Sequence, residues 1–403
     1  MAKQRYTIPA LACSEIGLVH SLGEAGIPVY SGSFFKDNPA LYSRFTKNRY
    51  FFSRYDKEEY IDQLVELGKS LDQRPVLYSD DDRAILLISR HREKLKPYYR
   101  FLLPDKEIVE KILDKRLFCH LCNDHELPAP VSYEVSSVEE MELVIADLPF
   151  PAIVKPAYKQ DWWHPDFEKI VGPYKKAYTC NNPDELRELY NKIARIDSRA
   201  VVQEYIPGED DQLYSVNLYV DEGGSLQGYF IAQKRRIYPI TAGTGCYVVT
   251  VDDKEMKETA LEVIKKLNLR GLLNIQFKKD IRNGRPRLME IHARNSFWSF
   301  LGTAAGMNLT AKYYFDLTGQ QPGREMEYKP GVKFFDLGKD IKAYWQYKKE
   351  DKLTFKDWFK TYSGDFVVGG HLLKDPKPIV MNAWFLLQRR LNMDGQSNGQ
   401  MPH

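Results

Sequence analysis

The chain has 403 residues, 43% of them apolar and 28% charged, a composition that suits a globular protein of roughly two to three domains. A net charge of +3 is too small to argue for nucleic acid as a partner, and no apolar run approaches the ~20 residues of a membrane span. The first residues lack a signal-peptide pattern, and the five scattered cysteines (Cys13, Cys119, Cys122, Cys180 and Cys246) read as reduced thiols, so the expected location is cytoplasmic.

Up to about residue 114 the pattern alternates strand and helix. Tyr6 to Cys13 reads as a strand, Ser14 to Gly26 as a helix, and Ile27 to Tyr30 as a second strand. Lys57 to Leu71 is amphipathic, and Val76-Leu77-Tyr78 precedes the acidic run Asp80-Asp81-Asp82, where an aspartate is expected to cap the next helix. Such alternation predicts a mainly parallel, Rossmann-like sheet. No GxGxxG follows the first strand, so dinucleotide binding gains no support.

A helical connector, Asp105 to His125, holds Lys115 and the pair Cys119 and Cys122. No second Cys or His pair follows at zinc spacing, so the two thiols are expected to pack rather than bind metal. A capping pattern at Ser136-Ser137 opens a helix. Pro149 to Pro156 reads as a short apolar strand closed by Lys155. The loop that follows holds Trp162, Trp163, His164 and Pro165, and Asn182 to Ile196 is a helix with Pro183 in its first turn.

Ala200 to Ile206 reads as a buried strand running into Pro207-Gly208-Glu209-Asp210-Asp211. An antiparallel hairpin follows, turning at Asp221 to Gly224 and expected to end at Lys234-Arg235-Arg236, with Arg236 solvated. Gly271 to Asp280 and Arg287 to Ala293 flank the turn signal Asn283-Gly284. In the second of these strands Leu288, Glu290, His292 and Arg294 alternate with Met289, Ile291 and Ala293, so an apolar face opposes a face bearing a carboxylate, an imidazole and a guanidinium. A phosphate and a divalent cation are partners that would satisfy such a face. Residues 303 to 319 read as helical, and the tail from about 320 is aromatic and Lys-rich, ending in a helix, Ile379 to Leu387, expected to dock.

Taken in order, these words resemble the ATP-grasp superfamily, and within it the carboxylate–amine ligases of the D-aspartate ligase type. The words are Gly26-Ile27-Pro28-Val29, Tyr42-Ser43-Arg44, Asp114-Lys115, Ile153-Val154-Lys155-Pro156, Gln203 to Asp210, Met289 to Arg294 and Ala305 to Leu309. The resemblance implies an α/β and α+β chain: a Rossmann-like pre-ATP-grasp domain over 1–114, a two-lobed ATP-grasp domain over 115–320, and a C-terminal extension over 321–403. It implies ATP and Mg²⁺, with Lys115 and Lys155 on the phosphates. Gln203, Glu204 and Ile206 would surround adenine, and Asp210 or Asp211 the ribose. Glu290 and His292 would hold metal, Arg294 would meet the γ-phosphate, and Lys234 and Arg235 would face phosphate or substrate. The implied partners are a small-molecule carboxylate and an amine, probed first as amino acids or small peptides, and a homodimer is left open.

Three departures from the family pattern stand out. His292 occupies a place where the family carries Asn, which brings Mn²⁺ into consideration, because imidazole suits Mg²⁺ poorly. Gln276 stands where the preceding strand usually supplies an acid; a two-residue turn would put Phe277 opposite Glu290, a one-residue slip would put Gln276 there, and Pro286 argues for the longer turn. Finally, the Trp162 to Pro165 region replaces the usual glycine-rich phosphate loop. These departures keep two other functions in play: an ATP-binding regulatory or scaffold protein with decayed catalysis, and a carbamoyl-phosphate or carboxylase-like activity.

Overall fold

A computed structural model describes residues 6–156, 165–171, 177–240, 243–321, 326–369 and 375–394. The expectations placed on Trp162 to His164 lie outside the described residues. The chain divides into two compact units: residues 1–102, 294–327 and 367–403 form one, and residues 103–293 and 328–366 the other.

In chain order the first unit contains β1 (Ala10–Cys13), α1 (Ile16–Glu24), β2 (Val29–Ser33), β3 (Thr46–Phe51), α2 (Glu58–Ser70), β4 (Val76–Ser79), α3 (Asp82–Arg90) and α4 (Arg92–Leu95). Its sheet runs β3-β2-β1-β4 with every pairing parallel, as the alternation predicted. β1 and β4 are buried along their whole length, which is why they read as unbroken apolar runs. Asp81 caps α3, its carboxylate accepting from the amides of Arg83 (2.8 Å) and Ala84 (3.3 Å).

The second unit begins with α5 (Lys106–Leu113), α6 (Lys115–Asp124), β5 (Ser132–Val135), α7 (Val138–Ile145), β6 (Ala152–Pro156), α8 (Pro165–Val171), β7 (Tyr178–Cys180), α9 (Pro183–Ile193) and β8 (Ala200–Glu204). β5, β8, β6 and β7 form a small antiparallel sheet in that order. Its apolar face packs on α7 and α9 through Val154, Val202, Met141, Leu186 and Tyr190, and full burial of such a side chain stabilises by about 1.5–3 kcal/mol. Cys119 and Cys122 are buried free thiols, and the Cys119 Sγ faces the Ser132 carbonyl at 3.1 Å.

The unit continues with β9 (Leu213–Val220), β10 (Leu226–Tyr238), β11 (Thr244–Val251), α10 (Lys254–Leu267), β12 (Gly271–Lys279) and β13 (Pro286–His292). The first unit then takes α11 (Ser299–Ala304) and α12 (Leu309–Thr318), so the expected helix over 303–319 is two helices. β14 (Lys333–Phe335), α13 (Leu337–Lys349), α14 (Phe355–Lys360) and β15 (Phe366–Val368) follow, and α15 (Lys377–Asp394) comes last. The large sheet has the order β13-β12-β9-β10-β11-β14-β15. The small antiparallel sheet and the antiparallel run from β13 to β14 of the large one make the expected two-lobed core.

Two expectations need correction here. The hairpin strand does not end at Lys234-Arg235-Arg236: β10 runs on to Tyr238, with β11 paired along it. Nor is Arg236 solvated. It is buried, with its guanidinium 2.8 and 3.1 Å from the Asp340 carboxylate and stacked over Tyr247. A buried carboxylate 104 residues away in sequence draws it inward.

Candidate active site

The face of the large sheet follows from strand register. Ala232 of β10 pairs with Ser215 of β9, Ser215 with Gln276 of β12, and Gln276 with Glu290 of β13. One step along, Asn217 pairs with Asn274 and Asn274 with His292. Since side chains directly opposite share a face, Lys234, Ser215, Asn217, Asn274, Gln276, Glu290 and His292 line a single polar surface.

The turn before β13 is the longer one. Asp280 bonds to Arg285 across it, and Gly284 adopts φ +74°, the left-handed conformation a tight turn asks of glycine. Lys279 pairs with Pro286 and Phe277 with Leu288, and then the register shifts, so that Gln276 faces Glu290. This bulge at Met289 also corrects the expected alternation. Leu288 is buried with Ile291 and Ala293 rather than sharing the face of Glu290 and His292. The bulge aims the carboxylate and the imidazole together.

Their contacts form a chain. Lys234, itself buried, donates from Nζ to Gln276 Oε1 at 2.9 Å. An ammonium can only donate, so the amide nitrogen of Gln276 is the group turned to His292 Nε2, 3.2 Å away. The same Nε2 stands 3.2 Å from Glu290 Oε2. One ring nitrogen cannot accept from Gln276 and donate to Glu290 at once. A ring nitrogen and a carboxylate oxygen side by side are both metal-ligating atoms, so the pair fits a divalent cation. Imidazole nitrogen favours Mn²⁺ over Mg²⁺ relative to an all-oxygen set. Among the described residues no group of three or more His, Cys, Asp and Glu gathers for a metal.

Two lysines complete the cluster. Lys115 opens α6, whose first amides are capped by Asp114. Lys155 ends β6 and donates to Gln203 Oε1 at 2.6 Å, a diagonal same-face neighbour on β8. Gln203 in turn donates to Ser132 Oγ at 2.7 Å, which fixes its orientation. Burial, then repulsion by Lys115, pulls the Lys155 ammonium down to about 8, against an opposing pull from Glu290. Burial works to raise the Glu290 carboxyl, yet His292, Lys115 and Lys155 outweigh it and hold the group well below the usual carboxylate range. The Glu290 side chain is nevertheless 53% exposed, so it looks from a dense wall of protein into open solvent. Two ammoniums and an ionised carboxylate around such an opening can take a polyphosphate with its metal.

The remaining expected residues have these places. Glu204 is buried, ion-paired to Arg282 and accepting from the amide of Val131. The Glu204 and Tyr205 amides are spent on the carbonyls of Val131 and Pro151, and Ile206 is buried just beyond. Asp210 and Asp211 start a short 3-10 turn; Asp210 Oδ2 accepts from the Tyr347 hydroxyl at 2.6 Å, and Asp211 Oδ1 from Gln212 at 2.9 Å. Arg235 is exposed, unlike its neighbour Lys234. Arg294 belongs to the first unit, where its guanidinium pairs with Asp82 at 2.6 and 3.0 Å. Ser132, Ser215, Asn217 and Asn274 went unnoticed in the sequence, because small polar residues inside a strand carry no signal until register places them beside charged ones.

A family profile described as "ATP-grasp in the biosynthetic pathway with Ter operon" matches residues 197–336, the stretch that carries β9 to β13. Over that stretch the chain is similar to ATP-grasp proteins. The chain is 28% identical over 303 residues to D-aspartate ligase of Enterococcus faecium (strain Aus0004), covering 72% of the chain and 70% of that protein. Its fold is similar to that of N5-carboxyaminoimidazole synthetase from Staphylococcus aureus complexed with ADP, at a TM-score of 0.61 and 16% identity over 82% of each chain. It is also similar to L-amino acid ligase from Bacillus licheniformis, at a TM-score of 0.58 and 14% identity over 81% of this chain and 78% of that one.

Proposed function

We propose that this protein is an ATP-dependent carboxylate–amine ligase, and that an amino acid or small peptide supplies at least one of the two reacting groups. The observation that carries the reading is the convergence of Lys115, Lys155, Glu290 and His292 on one opening. The likeness to D-aspartate ligase and to an L-amino acid ligase supports it.

In this reading Lys115 and Lys155 hold the phosphate chain of ATP from the small-sheet side. Glu290 and His292 hold Mg²⁺ or Mn²⁺, which supplies charge neutralisation to the phosphates. Gln203, Glu204 and Ile206 border the adenine, and Asp210 serves the ribose once its Tyr347 bond is exchanged, with Asp211 beside it. Lys234, buried and oriented by Gln276, holds positive charge toward the reacting groups, whereas Arg235, exposed on the strand's other face, is not assigned to substrate. A carboxylate oxygen of the first substrate attacks the γ-phosphorus and the bond to ADP breaks. The amine nitrogen then attacks the acyl carbon of the acyl-phosphate, phosphate leaves, and the amine gives up a proton. Fixed ammoniums stabilise both steps because charge moves between oxygens they already face.

The bond from Lys234 to Gln276 favours a second reading, nucleotide binding with decayed catalysis, since it occupies the amide oxygen nearest the metal pair. Coupled ADP release across pooled amino acids, with Mg²⁺ or Mn²⁺, separates the two. The ligase reading expects release only when both an acid and an amine are present, a product of their combined mass less one water, and loss of both in Glu290→Ala. Nucleotide binding without turnover across the panel would overturn it.

A further inference from the structure

The last helix offers an observation that the ligase reading does not use. α15 begins just after Asp375, and Asp375 is a buried anchor. Its carboxylate stands 3.0 Å from His20 Nε2 and accepts from Ser43 Oγ at 2.5 Å and from the Arg44 amide at 3.1 Å. Further along, Phe385 packs on Tyr42, with ring centres 5.8 Å apart. The helix is therefore fastened along one side.

Its outer side is apolar. Val380, Trp384 and Leu387 follow the i, i+4, i+7 spacing of one helical stripe and are 64%, 54% and 56% exposed. Fastening a helix so that this stripe faces water is unfavourable unless something covers it. The surroundings are basic. The helix carries Lys377, Arg389 and Arg390 against Asp394. The Tyr42 ring that receives Phe385 also receives the guanidinium of Arg49 at 5.0 Å. Residues 34–53 hold Lys36, Arg44, Lys47 and Arg49 against a single acid, Asp37, and these four cations are exposed, while Arg54 just beyond is paired with Asp56.

We infer that α15 and the neighbouring β3 dock the protein on an anionic lipid surface, with Val380, Trp384 and Leu387 entering the headgroup–acyl boundary and the cations facing the headgroups. An apolar stripe holding a tryptophan, flanked by Lys and Arg, is what an in-plane interfacial helix requires. No helix among the described residues is long and apolar enough to cross a membrane, and lying in the plane asks for neither. A second copy of the chain fits less well. A two-fold contact would lay this basic strip on itself, and the exposed Lys47, Asn48 and Arg49 of β3 blunt edge-to-edge pairing. A nucleic acid would answer the charge and leave the stripe bare.

The test is co-sedimentation of the full chain with sucrose-loaded vesicles of phosphatidylcholine alone and of phosphatidylcholine mixed with phosphatidylglycerol. Binding is expected to the mixed vesicles only and to weaken with salt. Trp384→Ser and the Lys47→Glu, Arg49→Glu pair should each lower the partition about tenfold or more. Leu143→Ser, at an exposed leucine of the other unit, should leave it unchanged. Equal partition of Trp384→Ser and the unaltered chain would overturn the inference, as would salt-independent binding to neutral vesicles. So would an absence of vesicle binding together with a dimer that Trp384→Ser dissolves, or with retention on nucleic acid. None of these outcomes bears on ADP release, so this inference and the ligase reading fail separately.

Discussion

Lys155 makes nucleotide binding depend on pH in a way that can be worked out in advance. Burial, reinforced by Lys115, brings its ammonium from 10.5 to about 8. Two to three units correspond to about 3–4 kcal/mol between the two protonation states. The sign follows from linkage. A lysine with a depressed folded value destabilises the folded chain by a constant amount below pH 8, and that cost is relieved as pH rises from 8 toward 10.5. A bound polyphosphate favours the charged form and raises the value again. Affinity for a non-hydrolysable ATP analogue should therefore be flat below about pH 8 and fall by up to about tenfold per unit above it, with uptake of up to one proton. Calorimetry in buffers of different ionisation enthalpy reads both quantities. Lys155→Met should bind more weakly at neutral pH and lose the slope. A flat profile in the unaltered chain, or an unchanged slope in Lys155→Met, would refute the placement of this lysine on the phosphates.

Other consequences are equally direct. His292→Asn replaces the imidazole nitrogen with an amide and should lower the preference for Mn²⁺ over Mg²⁺ by about tenfold, read by metal titration of the nucleotide complex. Arg236→Ala leaves Asp340 buried with the neutral Trp358 and Tyr362 donors, at 2.8 and 2.6 Å, and the weak Cys246 thiol donor at 3.7 Å, and should cost about 3–5 kcal/mol in chemical denaturation. Asp375→Ala removes the acceptor of Ser43 and of the Arg44 amide and should open the start of α15 to limited proteolysis while ADP release is retained. Protection from protease equal to that of the unaltered chain would contradict that anchoring role.

The polar face of β13 was legible because Glu290 and His292 alternate with Ile291; the strand ends at His292, so Arg294 lies beyond it. The parallel sheet of the first unit was equally legible, since Val76 to Ser79 and Ala10 to Cys13 are apolar runs punctuated by helix caps. What stayed hidden depended on register and on distance along the chain. The bulge at Met289 decides that Gln276 faces Glu290, and a bulge has no composition of its own. Arg236 reads as a solvated cation because its partner, Asp340, lies in a tail without motifs. The diagonal from Lys155 through Gln203 to Ser132 joins three strands, so no local pattern could announce it. Similarly, Lys234 and Arg235 are adjacent in sequence, yet pleating sends only Lys234 to the polar face.

The central claim is that a carboxylate is activated by phosphoryl transfer and then captured by an amine. Its most direct test is oxygen transfer. The acid identified by product mass is supplied with both carboxylate oxygens as ¹⁸O, and the released phosphate is analysed by mass or by the ³¹P isotope shift. The account predicts a single ¹⁸O in each phosphate formed with product, and none in Glu290→Ala, where no product forms. Amide formed with unlabelled phosphate would contradict it.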